Sequence, residues 1–225
     1  MTDPTTTPAA DLGSVSAQTA ELERALEQKT GLLHEVDHRV KNNLQLIASL
    51  LLLQSRRTSE PGAREALRGM LERVNAVATV HRRLFQNEDV QRFDVADFVR
   101  DLVGDMVGAT GREDIRAHLD LAPVSIPAAR AAPLALVVSE TLSNSVRHAF
   151  PDGRGGDIHV TVAQEGGQAR IEIADNGVGK AAGGTDGFGS TVIQLLCRQL
   201  KAQCVVEDAK PGVRIIVTLP TNGEG

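Results

Sequence analysis

His38 and Asn42 stand four residues apart in a stretch whose apolar positions, Leu33, Val36, Val40, Leu44, Ile47 and Leu51, recur every three or four residues. That period makes a helix with one apolar stripe. His38 lies two positions from both Val36 and Val40, a rotation of roughly 200° at 3.6 residues per turn, so its imidazole points away from the stripe. Asn42 follows one turn later on the same exposed face. An imidazole held out on a rigid helix beside an amide can exchange a group with a second protein. The plain alternative is a surface histidine on an amphipathic helix, and the downstream residues decide between the two. His34 sits one turn earlier on a similar face, but Glu35 and Asp37 beside it repel an incoming anion, whereas Arg39 and Lys41 flank His38 with positive charge.

Three polar clusters further along the chain read as one site. Glu140, Asn144 and His148 fall at successive i+4 positions with Arg147 adjacent, while Leu134, Val137, Val138, Leu142 and Val146 fall elsewhere on the same helix. A row of acid, amide and base on a helix otherwise rich in core residues suits a metal-bound polyphosphate. Asp175, Gly177 and Gly179 follow an alternating strand. The carboxylate can accept a hydrogen bond from an exocyclic amine, and the glycines let backbone approach a planar base. Gly187 and Gly189 open a further helix whose free N–H groups can meet phosphate oxygens. Between these glycine clusters, residues 183–186 read as a short lid.

The elements that must position these residues follow from periodicity. Residues 1–18, rich in Thr, Pro, Ala and Ser, read as a flexible tail. Residues 19–88 read as two long amphipathic helices joined by a turn within Ser55 to Gly62, with Pro61 suited to the first turn of the second helix, and weakened locally at Lys29 to Gly31. One such antiparallel hairpin has too narrow a core alone, so it is expected to pair with a second copy as a four-helix bundle or to lean on the next domain of the chain. His81 on the second helix reads as structural. Residues 89–221 read as that second domain. Asp94 caps a helix to about Val107; strands lie at 115–121 and 124–126; a helix runs over 134–150. A strand hairpin then turns at Glu165 to Gly167, and a last helix precedes a strand pair turned at Pro211 and Gly212. The fold class is α+β: a helical hairpin followed by a two-layer α/β sandwich, one sheet with three helices on one face.

Composition narrows the function. A chain of 225 residues with net charge −5 has no polycationic surface, and five Phe with no Tyr or Trp leave few platforms for stacking bases, so no nucleic-acid partner is expected. Cys197 and Cys204 match no metal or redox spacing. The apolar runs fall far short of the ~20 residues that span a bilayer, and Met1 to Pro4 lacks the features of a leader, so a cytoplasmic chain without membrane insertion is expected.

His38, Arg39, Lys41, Asn42 and Asn43, then Arg73 through His81 to Phe85, resemble the dimerisation and phosphoacceptor helices of bacterial sensor histidine kinases, in the subfamily marked by His-Arg-x-Lys-Asn and related to the HWE kinases. Residues 140–150 resemble that family's asparagine box, and 175–179 and 187–189 its glycine boxes. The resemblance spans about residues 30–220 and keeps the motif order. It implies a Bergerat (GHKL) ATP-binding fold with ATP and Mg²⁺ as cofactors. His38 would be the phosphoacceptor. Asn144 would bind the metal, with Glu140 supporting metal or water, and Asp175 would read adenine. The implied function is autophosphorylation from ATP followed by transfer to an aspartate of a response-regulator receiver, in a homodimer.

Three departures matter. Gly212 is followed by Val213 where the family has threonine, which removes a hydroxyl near the nucleotide, and Ser190 stands where the family often has an apolar residue. Arg39 occupies the place of the acid that often follows the phosphohistidine, so the general base lies open between Asp37 and Glu35. No sensor module precedes the helices, so either a separate sensor protein supplies the input, or the chain is a phosphotransfer protein or a piece of a longer one. Three rival readings compete with this one. His34, Glu35 and His38 match the zinc-protease spacing, but too little chain precedes them for a cleft and no third ligand is evident. A phosphotransfer or adaptor protein with a decayed ATP domain would not need Glu140, Asn144, Asp175 and the glycines. An anti-sigma-factor kinase would not need the His38 hairpin.

Overall fold

The computed structural model describes residues 9–86, 91–179 and 188–222. Chain contacts divide the protein into two units, residues 1–43 and 44–225.

The first unit is the N-terminal part of helix α1, Ala9–Arg57. The helix begins inside the stretch whose composition predicts a tail. Past Pro8 no proline interrupts, Ala9, Ala10, Ala17 and Ala20 are strong helix formers, and extending an existing helix costs little. Gly31 does not break it, and an added Cβ there would meet nothing within 4 Å. Arg39 donates to Glu35 at 2.7 Å across one turn, an acid-then-base pair at i,i+4.

In the second unit, the rest of α1 runs through the turn at residues 58–60 into α2, Pro61–Gln86. Glu60 caps α2, its carboxylate accepting from the backbone of Gly62 at 3.0 Å and Ala63 at 2.6 Å, with Pro61 in the first turn. Leu44, Ala48 and Leu51 are half-buried and Ser55 is buried. On the same helix Leu46, Ile47, Leu50 and Leu53 remain 45–60% exposed, and Met70 of α2 is 47% exposed.

Next come β1 (Arg92–Asp94), α3 (Val95–Gly108), β2 (Ile115–Leu121), β3 (Ser125–Pro127) and α4 (Ala131–His148). Asp94 caps α3 as expected, accepting from Asp97 N at 2.9 Å. Strand β1 is short and carries no alternation that would announce it; it pairs antiparallel with β3 as a separate two-stranded sheet. Then come β4 (Gly156–Glu165), β5 (Gln168–Asp175), α5 (Phe188–Leu200), β6 (Gln203–Asp208) and β7 (Val213–Pro220). The main sheet has the order β2-β4-β5-β7-β6. β2 and β4 run parallel across the α4 crossover, and the other pairs are antiparallel. Gly166 and Gly167 take positive φ (55° and 78°) in the β4–β5 turn, which an L side chain resists.

Alternate residues of the central strands, Ile158, Val160, Val162, Ile171 and Ile173, are at most 3% exposed. They meet Phe98, Val99 and Leu102 of α3, Leu134, Val138 and Leu142 of α4, and Ile193 and Leu196 of α5 in one core. The outward alternates include Arg116, His118, Thr161 and Glu172, so one sheet face is apolar and covered while the other is polar. Helix α2 shares this core: Ala76, Thr79 and Val80 are buried, and α2 packs chiefly against α4. Arg83 fastens it further, donating to Asp101 at 2.9 Å. His81 lies against Phe85, ring centroids 4.6 Å apart with the planes tilted by 35°. Among the described residues no helix is long and apolar enough to cross a membrane.

Candidate functional site

Helix α4 carries the site because its two sides differ. Leu134, Val137, Val138 and Leu142 are all but fully buried against the sheet side, which turns the polar row outward. The row is not uniform. Glu140 is only 7% exposed, while Asn144 and His148 are exposed. Helix α2 accounts for the difference. Arg73 clasps Glu140 with a two-pronged bond, Nε to Oε1 at 2.6 Å and Nη2 to Oε2 at 3.0 Å. Its neighbour Glu72 accepts from Ser143 Oγ at 2.7 Å and from Arg147 Nη2 at 2.5 Å. Arg147 also lies 3.7 Å from Glu65. Two adjacent, oppositely charged residues of α2 thus meet two oppositely charged residues of α4.

Sequence reasoning did not single out Glu72 and Arg73 for this. The signal was present, since the pair directly precedes the buried line Ala76, Thr79 and Val80, and its charges complement Glu140 and Arg147. Arg73→Ala leaves a nearly buried carboxylate without its countercharge and is expected to destabilise the fold by about 1–3 kcal/mol. Arg73→Lys recovers only part of that, because an ammonium cannot make the planar two-pronged bond. Urea unfolding of the three proteins reads both effects.

Asp175, the last residue of β5, is 4% exposed. Its Oδ2 accepts from Ser145 Oγ at 2.9 Å, and its Oδ1 accepts from the backbone of Gly177 at 3.1 Å and of Val213 at 3.2 Å. A carboxylate offers about four lone-pair positions, so three donors leave one acceptor position, on Oδ2. Ser145 and the Val213 N–H are the partners that sequence reasoning missed. The glycines around Asp175 are there for space. A Cβ on Gly177 would lie 2.3 Å from the carbonyl oxygen of Ala149, where Val178 N also donates at 3.0 Å, so the turn is pressed onto the end of α4. Gly212 has φ +101°, and a Cβ there would lie 1.8 Å from the Asp175 carbonyl oxygen. Gly179 has φ +78°. Beside these residues lies a cleft of about 390 Å³ whose walls include Val178, Gly179, Val206, Gly212 and Val213.

Asn176 anchors the turn from the other side, its Oδ1 accepting from Asp157 N at 2.8 Å and its Nδ2 donating to Asp157 Oδ2 at 3.1 Å. The hydrogen bond from His118, and then those from Arg116 and Asn176, hold the Asp157 carboxyl below its ordinary range. At the start of α5, a Cβ on Gly189 would come within 2.9 Å of Glu140 Oε2, so that helix opening abuts the same carboxylate. Gly187 and the expected lid at 183–186 lie outside the described residues. The structure thus brings together Glu140, Asp175, Gly177, Gly179 and Gly189 around α4. Asn144 and His148 stand on its open side, and Arg147 is turned toward α2. In the first unit, His38 and Asn42 are both exposed on α1. The side chains of His34 and Asp37 lie outside the described residues.

Comparison with known proteins agrees with this layout. The family described as "Histidine kinase-like ATPase domain" matches residues 109–214, which contain α4, strands β2 to β6 and the glycine turns. The family described as "Histidine kinase" matches residues 35–110, and the chain belongs to the histidine kinases. The sensor histidine kinase PdtaS of Mycobacterium tuberculosis is 30% identical over 212 residues, covering 90% of this chain and 42% of that protein. Its counterpart in Mycolicibacterium smegmatis is 35% identical over 165 residues, 72% of this chain and 32% of that one. The chain therefore spans less than half the length of these relatives. Among solved structures, the histidine kinase domain of the Erythrobacter litoralis EL346 blue-light activated histidine kinase shares the fold with a TM-score of 0.63 at 18% identity, covering 79% of this chain and 96% of that one.

Proposed function

We propose that this chain is the kinase portion of a two-component system, which phosphorylates its own histidine from ATP and passes the phosphoryl group to an aspartate of a response-regulator receiver. The observation that carries the reading is Asp175, buried at a strand end with one open acceptor position, beside a cleft and bonded to Ser145, the neighbour of the exposed Asn144 on α4. Residues 89–221 bind ATP: Asp175 receives the adenine amine, Gly177 and Gly179 give the base room, and Gly187 and Gly189 at the opening of α5 receive phosphate. Arg147 supplies further positive charge once α2 releases it, and His148 stands beside it on the exposed side of α4.

The donor set fits a magnesium ion carried in on a polyphosphate, because such an ion keeps its phosphates and waters and takes only one or two protein oxygens. Asn144 and Glu140 are the residues that hold it. Held there, it would supply charge neutralisation for the phosphates. Residues 19–88 are the dimerisation and phosphotransfer hairpin. His38 takes the phosphoryl group, and Asn42 positions the receiver's aspartate or a water. Asp37 serves as general base, because the Glu35 carboxylate is already held by Arg39. A separate sensor protein supplies the input, and the site of action is the cytoplasm.

Calorimetry with ATP tests the nucleotide site. Asn144→Ala removes the metal-dependent part of the affinity, and Asp175→Asn weakens binding by about 1–3 kcal/mol through the lost adenine contact. Unchanged Mg-ATP affinity in both variants would overturn the assignment. The uncovered Leu46, Ile47, Leu50 and Leu53 argue for a homodimer through a four-helix bundle. Light scattering over a concentration series then gives twice the chain mass, and a monomer at high concentration would reject the bundle.

A further inference from the structure

We propose that Ser145 is a positioning residue for nucleobase recognition, its hydroxyl fixing which lone pair of Asp175 is offered to the adenine amine; this rests on the ATP reading above. The donors are laid out asymmetrically. Both N–H groups from the glycine turns, Gly177 and Val213, go to Oδ1, and that oxygen is filled. Among the described residues, Ser145 Oγ alone donates to Oδ2. The oxygen left to meet a ligand is therefore the one whose second partner is a side-chain hydroxyl on α4, not the turn backbone.

Without that hydroxyl, Oδ2 has two open positions, and a water can take either. Nothing then fixes which of the two positions a ligand meets. With it, one acceptor position remains in one direction, which suits an exocyclic N–H and opposes the lone pairs of a 6-oxo purine. The hydroxyl also compensates a change on β7. Val213 keeps the backbone donor to Asp175 but brings no hydroxyl of its own, and Ser145 supplies one from the opposite side of the carboxylate. Ser145 is itself 7% exposed, so bulk water does not substitute freely for it. It directly follows Asn144, so one turn of α4 serves both the base and the phosphates.

The test is a comparison of two nucleotides, ATP and purine riboside triphosphate, which lacks only the 6-amino group. Each is titrated with Mg²⁺ into the full chain as wild type, Ser145→Ala and Ser145→Thr. The wild type should prefer ATP by about tenfold or more, the range of a hydrogen bond to a charged group. Ser145→Ala should lose most of that preference, with ATP binding weakened about tenfold and the analogue unchanged, and Ser145→Thr should restore it. If Ser145→Ala does not fold, Ser145→Cys keeps the volume with a much weaker donor and should show the same loss of preference. An equal loss for both nucleotides would mean that the hydroxyl only supports the fold, and the proposal would be wrong. It would also be wrong if the ATP preference survived intact. A wild type that binds neither nucleotide would overturn the ATP site itself, a separate outcome that leaves no preference to position.

Discussion

Gly212→Ala abolishes nucleotide binding. The new methyl carbon would lie 1.8 Å from the Asp175 carbonyl oxygen and 2.9 Å from its Oδ1, less than the closest approach of non-bonded atoms. The obstacle is backbone, so no side-chain rotation relieves it. The turn at 209–212 must retreat, and Val213 N is pulled away from Asp175 Oδ1 as it does. The φ of +101° adds strain of its own for any residue with a Cβ. Together these effects are expected to cost about 3 kcal/mol or more in stability and at least about a hundredfold in ATP affinity. Gly111→Ala is the control. Gly111 also has positive φ, +63°, but a Cβ there meets nothing within 4 Å, so that variant bears only the backbone cost and binds ATP normally. Thermal melting and ATP calorimetry on the two variants separate a crowded glycine from a merely left-handed one.

His38→Gln removes all histidine phosphorylation and leaves ATP binding as it was. Glutamine keeps a polar side chain of similar reach on an exposed position of α1, so the helix is not expected to lose stability. It has no ring nitrogen to take a phosphoryl group. His34→Gln retains most of the label, since the charges beside His34 are acidic and those beside His38 are basic. Phosphorylation that survived in the His38 variant and vanished in the His34 variant would reassign the phosphoacceptor.

Features set by local chemistry are legible in the sequence. The Asp94 cap, the double-glycine turn between β4 and β5 and the apolar side of α4 each follow from a few neighbouring residues. What packing decides is not. Periodicity gives Glu140, Asn144 and His148 one shared face, yet Glu140 is nearly buried and the other two are exposed. A helical wheel gives an angle but does not say that α2 lies over one end of that face. The early start of α1 and strand β1 escape for related reasons, since one is helix propagation through a weak region and the other a three-residue strand fixed by its distant partner β3. Asp175 is legible as a candidate from its place after an alternating strand. Its three donors are not, because they come from α4, the adjacent turn and β7, which only the fold brings together.

The central claim is that ATP and histidine chemistry reside in this one chain. Incubating it with Mg²⁺ and ATP labelled at the γ-phosphate, then testing the protein-bound label for stability in acid and alkali, addresses that claim directly. The expected result is label on the protein that is lost in acid, retained in alkali and absent in His38→Gln. No protein-bound label, or label that resists acid as a serine or threonine phosphate does, would contradict it.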